Sequence, residues 1–144
     1  MKNVTKPSMW LLWTLWVCVL CLAFPAAAAA AAWVFDTANT GVTENDADAT
    51  VTYAHTTGSL TNGILFAWAA WSATSTTVDS VTYNDVPMTV AKYEQGTSYR
   101  SVALYYLIAP DAGPHDVVWN FSANAVRVVA GSHSWDGAAS ALSL

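Results

Sequence analysis

Beyond residue 32, no stretch of this chain repeats apolar residues at i, i+3, i+4 and i+7, the spacing a helix needs to bury one stripe. Short runs rich in Val, Thr, Tyr and Trp recur instead, parted by Gly, Asn, Asp and Pro. β-Branched and aromatic side chains suit a pleated surface, and the punctuating residues turn or stop it. The pattern predicts strands at 33–36, 49–55, 62–72, 77–83, 86–93, 99–108, 115–121 and 126–135. The expected fold is all-β, an antiparallel β-sandwich of jelly-roll or immunoglobulin-like type.

Turn chemistry sharpens two of the connections. In SVTYNDVPMTV, Asn84 and Asp85 separate two alternating runs, and both residue types tolerate the positive φ of a tight primed turn. Val86, Met88 and Val90 then share one face. Pro87 falls on the other face and lacks an N–H, which predicts a sheet edge. In APDAGPH, Pro110, Gly113 and Pro114 stop one strand and start the next, after which Val117, Trp119 and Phe121 alternate inward.

Two runs do not alternate. GILFAWAAW (63–71) and VALYYLI (102–108) are apolar on both faces, whereas a sandwich strand buries only one. They call for cover on both sides, from loops and neighbours or from strands this chain does not encode.

The first 32 residues read differently. Lys2 and Lys6 precede the apolar run Met9 to Phe24, Pro25 follows, and then seven alanines; no charge recurs until Asp36. A basic start, an apolar middle and a small-residue tail describe a secretory signal peptide. The stretch is also long enough for an uncleaved anchor, since about 20 residues span a bilayer. Either way residues 33–144 form one domain outside the cytoplasm, secreted or at the cell surface, with membrane contact only through the N-terminal segment. Both cysteines, Cys18 and Cys21, lie inside the apolar run, so the domain has no disulfide or thiol chemistry. Its three bases, Lys92, Arg100 and Arg127, stand against ten acids, a net charge of −7. That balance excludes nucleic acid, which needs basic patches to replace phosphate counterions.

Catalytic patterns are missing. His55, His115 and His133 have no HExxH context. His133 and Asp136 lie near Ser132 and Ser134, yet no G-x-S-x-G elbow presents a nucleophile, so the histidines read as structural or surface residues and no enzyme is expected. No cofactor is expected either, calcium apart. Glu44, Asp46 and Asp48 in the stretch DTANTGVTENDADAT offer oxygen ligands for calcium, without EF-hand spacing; the alternative is a solvated loop. Among many aromatics, Trp68, Trp71, Tyr105 and Trp135 are the candidate binding or interface residues, against the plainer expectation that strand aromatics are buried. Asn120-Phe121-Ser122 is a glycosylation sequon.

The motifs SVTYNDVPMTV, VALYYLIAPDAGPHDVVWNF and VVAGSHSWDGA together resemble a β-sandwich family of secreted and surface-anchored prokaryotic proteins. The likeness spans roughly residues 50–137. Asn84-Asp85 stands where the family has Gly-Gly, Pro110-Asp111 where it has two prolines, and Ser134-Trp135-Asp136-Gly137 where it has SFSG. The resemblance implies a non-catalytic structural or adhesive module, and a domain whose family continues for several strands past residue 137. A sandwich lacking its last strands would self-assemble by strand exchange, with Trp33–Thr37 as a free donor. The expected partners are thus further copies of the chain, other surface proteins or, through the exposed aromatics of a carbohydrate-binding module, a polysaccharide.

Overall fold

The structure, a computed structural model, describes residues 32–46, 48–72, 75–96 and 100–137. The signal or anchor segment lies outside these residues apart from Ala32. Among the described residues the strands are β1 (Val34–Asp46), β2 (Thr50–Thr57), β3 (Ile64–Trp71), β4 (Val78–Tyr83), β5 (Val86–Pro87), β6 (Thr89–Gln95), β7 (Ser101–Ile108), β8 (Gly113–Phe121) and β9 (Val126–Asp136), with no helix. They form two sheets, in the orders β1-β9-β3-β7-β6 and β2-β8-β4-β5. Every pairing is antiparallel.

Local chemistry sets the turns. Asn84 (φ 48°) and Asp85 (φ 61°) both take positive φ between β4 and β5, the sign a two-residue primed turn demands. Pro87 lies on β5, the outermost strand of its sheet, where a missing N–H breaks no ladder. At the next corner the Tyr83 hydroxyl sits 2.8 Å from Thr57 Oγ1 and donates toward the carbonyls of Asp111 and Gly113, 3.2 Å from each. One phenol thereby holds the 109–113 turn onto β2 and β4.

The core lies between the sheets. Leu65, Ala67, Ala69 and Trp71 of β3, and Val128 and Ala130 of β9, face Val51 and Tyr53 of β2, Val81 and Tyr83 of β4, and Val117, Trp119 and Phe121 of β8. Trp119 meets Tyr105 edge to face at 5.4 Å, and Trp71 meets Phe121 at 5.3 Å. Each large apolar side chain buried here stabilises the fold by about 1.5–3 kcal/mol.

Two expectations are corrected. The stretch 37–46, expected as a loop after a short first strand, forms most of β1. Its Thr, Asn and Gly residues do not alternate, yet it pairs with β9 from Val34↔Asp136 to Asp46↔Val126, with irregularities between Phe35 and Ala38 and between Asn39 and Val42. Gly41 makes the second one feasible: its φ is 65°, and a Cβ there would collide with the Ala130 carbonyl. The same pairing occupies the segment expected to be free for strand donation, since residues 34–37 open β1. Thr37 Oγ1 donates to the Thr56 carbonyl at 3.0 Å, and the Asn39 amide donates to the Ala54 carbonyl. Side chains of β1 therefore cap the edge of β2 and close one side of the sandwich.

Candidate functional site

Side chains alternate across a strand, so each sheet has an inward and an outward face. The outward face of the four-stranded sheet is polar. Thr50, Thr52, Ala54 and Thr56 of β2 are exposed there. Thr50 Oγ1 donates to Asn120 Oδ1 at 3.1 Å, and Asn120 Nδ2 donates to Ser80 Oγ at 2.9 Å. The sequon amide is thus part of a cross-strand ladder near the C-terminal end of β8. A shallow depression of about 370 Å³ at the end of this face is lined by Asn84, Asp85, His115 and Asp116, among others.

The outward face of the five-stranded sheet is the opposite. Its registers place Trp135, Ile64 and Ile108 in one row, His133, Phe66 and Tyr106 in the next, Gly131, Trp68 and Leu104 in a third, and Val129, Ala70 and Val102 in a fourth. Rings run continuously across three strands. Phe35 meets Trp135 at 5.2 Å, Trp135 meets His133 at 6.3 Å, and His133 stacks on Phe66 at 5.3 Å. Trp68 lies over Gly131, where any Cβ would come within 2.7 Å of its ring. No described strand lies over this face: Phe35, Val102, Ile108 and Val129 are 52%, 48%, 39% and 38% exposed, Phe66, Trp68 and Trp135 are half-buried, and Ile64 alone among these large apolar side chains is buried.

The four candidate interface aromatics therefore separate. Trp68 and Trp135 point outward. Trp71 and Tyr105 are corrected to inward positions: Trp71 is buried and donates from Nε1 to the Thr76 carbonyl at 3.0 Å, and Tyr105 packs on Trp119. The two doubly apolar runs form β3 and β7, next to each other in the five-stranded sheet. One side of each faces the core and the other faces out.

Sequence reasoning missed a polar chain inside the sandwich. His55 of β2 points inward and is buried, as are Ser132 and Ser134 of β9. Ser134 Oγ donates to Asp36 Oδ2 at 2.7 Å. Having spent its one proton, Ser134 accepts from His55 Nε2 at 3.1 Å. His55 Nδ1 is then bare and accepts from Ser132 Oγ at 2.9 Å. Burial holds the imidazole pKa below the usual histidine value, against the pull of the Asp36 carboxylate. A hydroxyl on the basic nitrogen of a neutral imidazole is the pairing a serine nucleophile uses. Here Ser132 is 1% exposed, so no substrate reaches it in this conformation, and the chain acts as a clasp between the sheets. The signal was present in Val51, Tyr53, His55 and Thr57, which alternate on one face, and in the matching alternation of Val128, Ala130, Ser132 and Ser134.

His133 and Asp136, weighed with those serines from sequence, serve elsewhere. His133 belongs to the outward ring series, where burial also lowers its pKa. Asp136 Oδ1 accepts from the backbone N–H groups of Thr61, Asn62 and Gly137 at 3.1, 2.8 and 2.8 Å. Those bonds hold its carboxyl below the usual range and fix the approach to β3. Of the calcium candidates, the Asp48 side chain is exposed, while the side chains of Glu44 and Asp46 lie outside the described residues. Among the described residues no three His, Cys, Asp or Glu side chains converge to hold a metal ion.

Comparison of the chain with family models, with curated proteins and with solved structures found no match.

Proposed function

We propose that this chain is an exported, non-catalytic jelly-roll module with a structural or adhesive role, and that its working surface is the outward face of the five-stranded sheet. The observation that carries this reading is the contrast between the two outward faces. Monomeric proteins rarely leave contiguous apolar patches beyond a few hundred Å² on their surface, and those they do leave are contact sites. The jelly-roll assignment rests on strand order: β1-β9-β3-β7 opposite β2-β8-β4-β5 is the eight-stranded pattern. In it, β5 and β6 stand for one strand that breaks at Met88 and changes sheets. Export rests on the basic, apolar and alanine-rich order of residues 1–32.

The edges do not support strand exchange as the means of assembly. β1 carries irregularities, β5 carries Pro87, β6 carries the exposed Lys92–Glu94 pair at 2.6 Å, and β2 is capped by Thr37 and Asn39. These are devices that blunt sheet edges. The test replaces exposed Val102 and Val129 together by serine. Export, native size by gel filtration, retention on the producing cell and pull-down on cellulose and chitin are compared with the parent. Loss of assembly or retention is expected, with the melting temperature unchanged at concentrations where both forms are monomeric. Identical behaviour in every assay would falsify the assignment of this face.

A further inference from the structure

We infer that the outward face of the five-stranded sheet docks on the same face of a second copy of this chain, a deduction that rests on reading that face as the working surface. Size is the first argument. Five strands at about 4.8 Å spacing and eight residues at about 3.4 Å rise give a footprint of roughly 650 Å² per copy. Two copies would bury about 1,300 Å², within the range of about 1,200–2,000 Å² typical of specific interfaces.

Charge is the second. A domain carrying −7 repels its own copies, so they must meet where the acids are not. Among the described side chains of the four outward rows, charge enters only through Lys92 and Glu94 of β6, and these neutralise each other at 2.6 Å. Asp85 and Asp116 lie instead at the depression on the opposite sheet, and Asp111 is held by Asn84 at the corner beside it. Shape is the third. Trp68 lies over Gly131 rather than standing up from the sheet, leaving a surface on which a like sheet packs at about 10 Å with its strands crossing at about 30°. Such a contact is two-fold and closes on itself, giving a dimer and not a fibre.

Cross-linking tests this on the full chain, purified from wherever the producing cell places it, with Cys18→Ala and Cys21→Ala to remove the native thiols. Ala70→Cys puts a thiol on the outward face of central strand β3; Thr52→Cys puts one on the polar face. A short bis-maleimide should yield a product of twice the chain mass from Ala70→Cys at least tenfold more than from Thr52→Cys. Adding Val102→Asp should weaken association about a hundredfold, because it buries an unpaired charge; Val102→Ser, with a melting curve, guards against a simple folding defect. Equal yields from the two thiols overturn the dimer. So does a monomeric Ala70→Cys variant whose introduced thiol resists alkylation until residues 1–32 are removed, which would make the chain's own leader the occupant. A monomer that Phe66→Ser strips from cellulose or chitin overturns the dimer and leaves the working face standing. A monomer indifferent to Phe66→Ser in every assay overturns both.

Discussion

The two sheets of this domain share one core and differ on their backs. The four-stranded sheet turns threonines, Asn120 and Asp116 to the solvent and ties Thr50, Asn120 and Ser80 into a ladder. The five-stranded sheet turns Phe35, Phe66, Trp68, Trp135 and Val102 outward. Identical backbone geometry accepts either, because a strand's outward positions are constrained only by what they face. The difference is the observation on which the proposed contact role of the five-stranded back rests; the four-stranded back is dressed for water.

The contrast can be broken most forcefully from the core. Trp119→Ala should cost about 3–5 kcal/mol, seen as a large drop in the denaturant midpoint, and it sets the scale of full burial. Phe66→Ala on the outward face should cost well under half of that at concentrations where the chain is monomeric. If it costs as much, something already covers the face and the comparison fails. Asn84→Val should cost about 1–2 kcal/mol by forcing a β-branched residue to positive φ, with Asn84→Gly tolerated; this separates turn chemistry from either face. Asn120→Ala on the polar back should cost about 0.5–1.5 kcal/mol for its lost bonds, and Thr52→Asp beside it should change the melting temperature little.

Acid supplies the gentlest probe. His55 in the core and His133 on the apolar back both have folded pKa values held below the ordinary histidine value by burial. The unfolded chain then binds protons first. Stability should be level above about pH 6.5 and fall as the pH drops below that value. His55 faces Ser132 and Ser134 of β9, Asp36 of β1 and Tyr83 of β4. Melting curves at pH 7.5, 6.5 and 5.5 should show a smaller acid loss in His55→Gln than in the parent. If two copies pair through the five-stranded back as proposed, acid should weaken that pairing and His133→Gln should flatten the loss. An unchanged slope in both variants would mean that neither imidazole is buried as described.

Much of this architecture was legible in the residues. The strands around Tyr53, Trp119 and Val128 follow from alternation, and the β4–β5 turn follows from Asn84 and Asp85. Parity was not legible in β3 and β7. When both faces are apolar, a period of two carries no sign, so Trp71 could not be told from Trp68, nor Tyr105 from Tyr106. The length of β1 was hidden for another reason. Its polar, glycine-containing run is a strand only because β9, some 90 residues later in the chain, supplies the ladder. The His55 clasp is non-local in the same way, joining residues 77 and 79 positions apart.

The pairing of β1 with β9 has a mechanical consequence. Val34 lies opposite Asp136, so the described chain enters and leaves at the same end of the sandwich. Tension applied between those two points would not slide the strands past each other against all their hydrogen bonds at once. It would part them like a zipper, rung by rung, starting at Phe35 and Trp135. Pulled by its ends, the domain should yield at low force; pressed face to face, it should hold.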